Sequence, residues 1–201
     1  MASCSPKDNS PKAAEPPKAV SPEASTPTEA APTVTGTMAL SPRNASIEFL
    51  GEKLVGSHEG KFESFSGNIS FRDSDPTTAK VDVKIDMSSV KTDAEKLDAH
   101  LQSADFFDVA KFPDGTFVSN SVTPGGSRDA THTVHGKLTL RGVTKEIAIP
   151  AKIEISKTDV LMRAEVTINR KDYGIAFPGM PDNLIKDDVK IFLKLDGKLQ
   201  Q

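Results

Sequence analysis

Gly60-Lys-Phe-Glu-Ser-Phe-Ser-Gly67, followed downstream by Asp98-Ala-His-Leu-Gln-Ser-Ala-Asp-Phe-Phe107, is the text on which the reading of this chain turns. Both segments are built from phenylalanines, glycines and small polar residues. Neither sets a nucleophile beside a base, so neither looks like catalytic chemistry. What they offer is apolar surface in a fixed geometry.

Around these segments the dominant signal is alternation of apolar and polar residues, the period of half-buried strands. Ile47 and Phe49 alternate with Ser46 and Glu48, and Val81, Val83 and Ile85 with Lys80, Asp82, Lys84 and Asp86. Leu138 and Leu140 alternate with Lys137, Thr139 and Arg141, and Ile147, Ile149, Ala151, Ile153 and Ile155 lie opposite Glu146, Lys152 and Glu154. After a turn at Lys157 to Asp159, the series Val160, Met162, Ala164, Val166, Ile168 faces one way and Arg163, Glu165, Thr167 the other. Val189, Ile191, Leu193 and Leu195 repeat the pattern against Lys190, Lys194 and Asp196. With a phenylalanine-rich strand from Phe62 to Phe71 and another from Thr116 to Val122, the total is about eight strands. Pro124-Gly125-Gly126-Ser127 supplies turn chemistry between two of them.

Long antiparallel strands with one apolar face and no alternating helices predict an all-β sandwich or closed barrel. Closure removes exposed edges, and an eight-stranded barrel has room for one elongated ligand. A single helix interrupts the strands. Thr92-Asp93-Ala94-Glu95 has capping-box spacing, with Thr92 as N-cap, and Leu97, Leu101 and Ala104 follow on one helical face. That face is expected to cover the barrel, with Phe106 and Phe107 behind it.

Residues 1–36 read differently. Seven of the chain's 14 prolines (Pro6, Pro11, Pro16, Pro17, Pro22, Pro27 and Pro32) fall there, among Ala, Ser, Thr, Lys and Glu and without an aromatic residue. Too little apolar surface is available to offset the entropy of ordering, which predicts a disordered, extended tether ahead of a folded domain at 37–201. The net charge of −3 and interspersed signs exclude the basic stripe of a nucleic-acid groove. No run of about 18 apolar residues exists to span a bilayer as a helix. The single cysteine, Cys4, cannot form an internal disulfide. Met-Ala-Ser-Cys-Ser resembles the end of a bacterial lipoprotein signal, in which such a cysteine is acylated, and a proline-rich tether suits an anchored domain; the alternative is a free thiol in a tail.

Six short motifs in order resemble the YceI-like family of bacterial lipid-binding proteins. They are Gly60-x-Phe62-x-x-Phe65-x-Gly67, Asp86-Met-Ser-Ser-Val90, and Asp98-Ala-His-Leu101 with Ala104-Asp-Phe-Phe-Asp108, then Phe112-Pro113 before Phe117, Gly136-Lys-Leu-Thr-Leu-Arg-Gly-Val-Thr-Lys145, and Asn169-Arg-Lys-Asp-Tyr-Gly174. The resemblance implies an eight-stranded antiparallel, lipocalin-like barrel closed by the helix around a long apolar tunnel. The expected occupant is a polyisoprenoid, a quinone tail, a fatty acid or an amide, carried or sequestered without catalysis, cofactor or metal. It also implies export to the periplasm or cell envelope, with anchoring through Cys4; a homodimer is left open. Expected tunnel residues are Phe49, Phe62, Phe65, Ile69, Phe71, Val83, Ile85, Leu97, Leu101, Phe106, Phe117, Leu138, Met162, Val166, Ile168, Phe177 and Leu193. Many members place a His shortly after the first strand, where this chain has Glu52-Lys53.

The polar residues admit sharper readings, each with a plainer alternative. His58, in the bend Gly56-Ser57-His58-Glu59-Gly60, is a candidate for the tunnel mouth, as are Arg170 and Tyr173, which could equally bond within the chain. His132 and His135, three apart on a strand, point to opposite faces and cannot chelate one ion from regular strand geometry. His100 is read as a structural hydrogen bonder, and Asp105 and Asp108 as residues that end the helix and turn the chain. Phe177-Pro178-Gly179-Met180-Pro181 either folds over the tunnel entrance or plugs one end. Alternation alone leaves a second possibility: a barrel filled by its own side chains that acts through its surface as an envelope stress or adaptor protein.

Overall fold

In the computed structural model residues 36–181 and 183–199 are described. The proline-rich segment and Cys4 lie outside these residues. The described chain forms β1 (Gly36–Leu40), β2 (Ala45–Lys53), β3 (Ser57–Phe62), β4 (Phe65–Arg72), β5 (Asp75–Asp86) and β6 (Val90–Thr92), then helix α1 (Glu95–Gln102). There follow β7 (Asp114–Pro124), β8 (His132–Leu140), β9 (Val143–Ile155), β10 (Asp159–Asn169), the two-residue β11 (Gly179–Met180) and β12 (Asn183–Lys198). All pairings are antiparallel.

Three corners reduce the strands to a simpler ring. Between β1 and β2 the Asn44 side chain clasps the bend, accepting from Ser41 N–H at 2.9 Å and donating to the Ala39 carbonyl at 2.8 Å. Between β5 and β6 a single 3-10 turn, Met87–Ser89, is capped by Asp86, whose carboxylate accepts from Ser88 N–H at 2.9 Å. Ser89 then holds the β3–β4 corner, its hydroxyl accepting from Ser64 N–H at 3.0 Å. The motif Asp86-Met-Ser-Ser-Val90 is therefore corner chemistry. With β1–β2, β3–β4 and β5–β6 each continuous around a corner, eight staves remain. Each pairs with its neighbour in sequence, and β12 closes the ring on β2, with Leu195 opposite Ala45. The fold is the expected antiparallel barrel with one helix.

One seam is half-zipped. β9 and β10 pair only from Val160–Ile155 to Ala164–Ala151. The next position on β9 is Pro150, which has no N–H to give a ladder. Arg128, from the β7–β8 loop, bridges to Glu165 on β10 at 2.9 Å.

Two local expectations are corrected. Thr92 is not the N-cap: the chain is still extended at Ala94, and the helix begins at Glu95 with no side-chain cap. The buried Asp98 reaches back instead, accepting from Thr92 N–H at 2.7 Å and Thr92 Oγ1 at 2.8 Å. Ala104 lies beyond the helix and is exposed, so the covering face is Leu97 and Leu101. Asp108 does turn the chain, at a left-handed φ of 50°, with its carboxylate bonded to Lys111 at 3.1 Å.

Candidate functional site

The inward residues of the strands do not meet at the barrel axis. They enclose a cavity of about 420 Å³, within the ordinary range for small-molecule sites. Its wall follows β12 from Asn183 to Leu195, twelve steps that span about 40 Å along the strand and roughly 30 Å along a tilted barrel axis.

The wall has three layers. At the helix end Phe49, Phe62, Leu97, Leu101, Phe106 and Phe177 form an aromatic collar. Phe49 and Phe62 lie 5.8 Å apart, Phe106 and Phe177 5.4 Å, and His100 stands edge-on to Phe106 at 5.0 Å and to Phe177 at 4.9 Å. The middle layer holds Phe65, Val83, Ile85, Phe117, Leu138, Ile168 and Tyr173. The deep layer holds Ile69, Met162, Val166 and Leu193. Two motif glycines make room for this wall. A Cβ on Gly60 would collide with the Phe49 ring, and one on Gly136 would stand 2.6 Å from the tip of Phe117.

Phe71 departs from the expectation. It is 2% exposed and does not face the cavity; its ring lies under β1, where a Cβ on Gly36 would be 2.6 Å away. It packs the deep end as core. The sequence reading placed Phe71 on the tunnel wall but could not say how far along the barrel the open space extends.

The polar candidates separate. His58 lies on the wall near the mouth, with Nδ1 2.7 Å from Asp93 Oδ1 and Nε2 2.8 Å from Lys53 Nζ. A lysine only donates, so Nε2 accepts and the ring proton sits on Nδ1, donated to Asp93. Arg170 lines the cavity, but its bonds run within the chain, the second of its two readings. It is buried, and its five N–H groups meet five acceptors: the carbonyls of Lys186 (3.1 Å), Ile175 (2.8 Å), Phe177 (2.8 Å) and Ile185 (3.3 Å), and Asp187 (3.0 Å). Its role is to pin the 175–177 segment against β12. Tyr173 lines the cavity with no hydrogen-bond partner for its hydroxyl among the described residues. Burial, and then the Asp172 carboxylate, push the phenol above its usual value, so at neutral pH it is a donor.

His100 combines both readings: it bonds Asp105 at 3.0 Å and lines the cavity. His132 bonds Thr131 and His135 bonds Thr123. Sequence reading missed Met87 and Ile175 on the wall. They sit in a 3-10 turn and a loop, where no periodicity marks an inward face.

Residues 38–196 match the family model described as the YceI-like domain. A UPF0312 protein of Pseudomonas putida is 35% identical over 151 residues, covering 72% of this chain and 76% of that protein. Protein YceI of Salmonella arizonae is 36% identical over 149 residues, covering 71% and 74%. Among solved structures, a YceI protein of Campylobacter jejuni superposes with a TM-score of 0.62 at 26% identity, over 71% of this chain and 85% of that one. A polyisoprenoid-binding domain from Saccharophagus degradans superposes with a TM-score of 0.62 at 14% identity, over 82% and 99%. Six motifs in order, a barrel built around them and a match over most of the folded residues agree: the chain belongs to the YceI-like family.

Proposed function

We propose that the protein binds one long-chain amphiphilic lipid, a polyisoprenoid or a comparable aliphatic chain, and carries or sequesters it without chemically changing it. The observation that supports this reading is the elongated cavity of about 420 Å³, walled almost throughout by aliphatic and aromatic side chains. Burying an alkyl chain yields roughly 0.8 kcal/mol per methylene, so about 15 carbons would gain on the order of 12 kcal/mol before ordering costs. The solved relative described as polyisoprenoid-binding shares the fold and lends the ligand class its plausibility. His58, Lys53, the Tyr173 hydroxyl and the buried, unpartnered Ser46 hydroxyl are among the polar groups the cavity offers a head group.

Mass spectrometry of an organic extract, beside native mass spectrometry of the purified protein, is the test. A stoichiometric long-chain molecule is expected. Leu193→Phe and Val166→Phe should then lower uptake of a fatty-acid or polyprenyl probe while the fold survives; unchanged uptake, or no binding by the wild type, would sink the reading. That result would leave the barrel acting through its surface as an adaptor. The same reading places the protein in the cell envelope, acylated on Cys4. The intact mass of the protein from its native membrane should show the added diacyl group, and an unmodified cysteine there would refute it.

A further inference from the structure

Among the described residues five large hydrophobic side chains are exposed: Leu54 at 63%, Val55 at 74%, Val118 at 51%, Leu161 at 36% and Leu184 at 44%. Three of the five meet at one place. Leu54 and Val55 form the tip between β2 and β3, and Leu54 N–H donates to the Leu184 carbonyl at 3.0 Å. Asn183 fastens the arrangement from both sides. Its Oδ1 accepts from Val55 N–H at 3.0 Å and its Nδ2 donates to the Val55 carbonyl at 3.3 Å. Gly56, at φ 85°, closes the turn by accepting from Lys53 N–H at 2.9 Å. Lys53, Asn183 and Ile185 line the cavity, so this tip stands on the rim of its mouth. Chain reversal alone calls for polar turn residues, and here two aliphatic side chains are held out in water instead.

We propose that this rim is a membrane-docking edge: Leu54, Val55 and Leu184 enter the interfacial layer of a lipid bilayer and seat the cavity mouth on the lipid surface. Three side chains on a hairpin tip cannot bury the ~1,000 Å² that a stable protein interface needs, but they suit shallow insertion at the headgroup boundary. The net charge around them is small: Lys186 and Lys190 share Glu52, at 2.8 and 3.9 Å, and Lys53 is linked through His58 to Asp93, three lysines against two carboxylates. Insertion, rather than attraction to anionic lipid, therefore carries the binding, which should depend weakly on salt. Docking stands independently of the cargo; only the transfer of a chain from bilayer to cavity rests on the proposed function.

The chain contains no tryptophan, so Val55→Trp is a clean reporter. With the full unacylated chain, phosphatidylcholine vesicles should shift its emission to the blue and carry the wild type in flotation, at low and high salt alike. The triple variant Leu54→Ser, Val55→Ser, Leu184→Ser should lose at least about tenfold in vesicle binding, while Val118→Ser, on a remote outer face, keeps it. Uptake of a fatty-acid probe from water should survive in the triple variant and uptake from vesicles should fall. The proposal is overturned if the wild type does not float, if it floats only on phosphatidylglycerol vesicles at low salt, or if the triple variant floats like the wild type. It is equally overturned if sedimentation shows a dimer that the triple variant dissolves while vesicles bind neither protein. Flotation without uptake of any probe would uphold docking and remove the cargo reading.

Discussion

Gly60 and Gly136 owe their place to neighbours rather than to their own backbone freedom: each leaves the space a phenylalanine ring fills. Gly60→Ala should force Phe49 out of its rotamer and cost about 1–3 kcal/mol, read as a lower urea midpoint with unchanged slope. Asp98 works in the opposite way, by adding a bond. Its carboxylate is held below the usual aspartate value, first by the Thr92 hydroxyl, then by Thr92 N–H and Lys91. A depressed folded value means that the stability it contributes is complete above the unfolded pKa of about 4 and drains away as pH falls through the folded one. Asp98→Asn should therefore be less stable than the wild type at pH 7, and the gap between their urea midpoints should narrow at pH 3. An unchanged gap would show that charge on Asp98 contributes nothing.

At the scale of elements, Arg170 joins a 3-10 turn, a loop and a strand through one guanidinium. Arg170→Met removes the partner of five acceptors and should cost about 3–5 kcal/mol, the range for breaking a buried charged network. Faster amide exchange at Ile175, whose N–H bonds the Arg170 carbonyl at 3.2 Å, should accompany it. None of this was visible in Asn169-Arg-Lys-Asp-Tyr-Gly174, because the acceptors belong to Ile175, Phe177 and β12 and only folding brings them together. The long strands were legible, since period-two alternation survives wherever one face meets an apolar interior and the other water. The corners were not. β1 and β6 are too short to show a period, and the predicted strand from Phe62 to Phe71 is broken at Glu63 and Ser64 by bonds to Ser89. Thr92 and Glu95 had the spacing of a capping box, but Asp98, nearer in the folded chain, took the threonine. For the cavity, sequence identified the inward face and resembled motifs supplied the idea of a tunnel. Depth along the axis stayed hidden, which is why Phe71 was assigned to a wall and belongs to the floor.

For the molecule as a whole, a cavity left empty is packing energy not realised, so its occupant should stabilise the fold by mass action. At a free concentration 100 times Kd a ligand adds about 2.7 kcal/mol, which for a domain of this size corresponds to roughly 5–11 °C in Tm. Delipidation with organic solvent or a hydrophobic resin should lower Tm by that order, and adding back the extracted lipid should restore it; a Tm indifferent to both would argue for a filled interior.

The ring closes by pairing β12 with β2, so that Ala45 faces Leu195 across almost the whole length of the described chain. Seven of the eight staves can pair as they leave the ribosome, yet they make only an open, curled sheet. The interior comes into being in one late step, by the most sequence-distant strand pairing among the described residues. If it carries a lipid as proposed, a barrel built this way cannot receive that cargo while the chain is being made. Loading has to follow ring closure, from whatever lipid the finished barrel first meets.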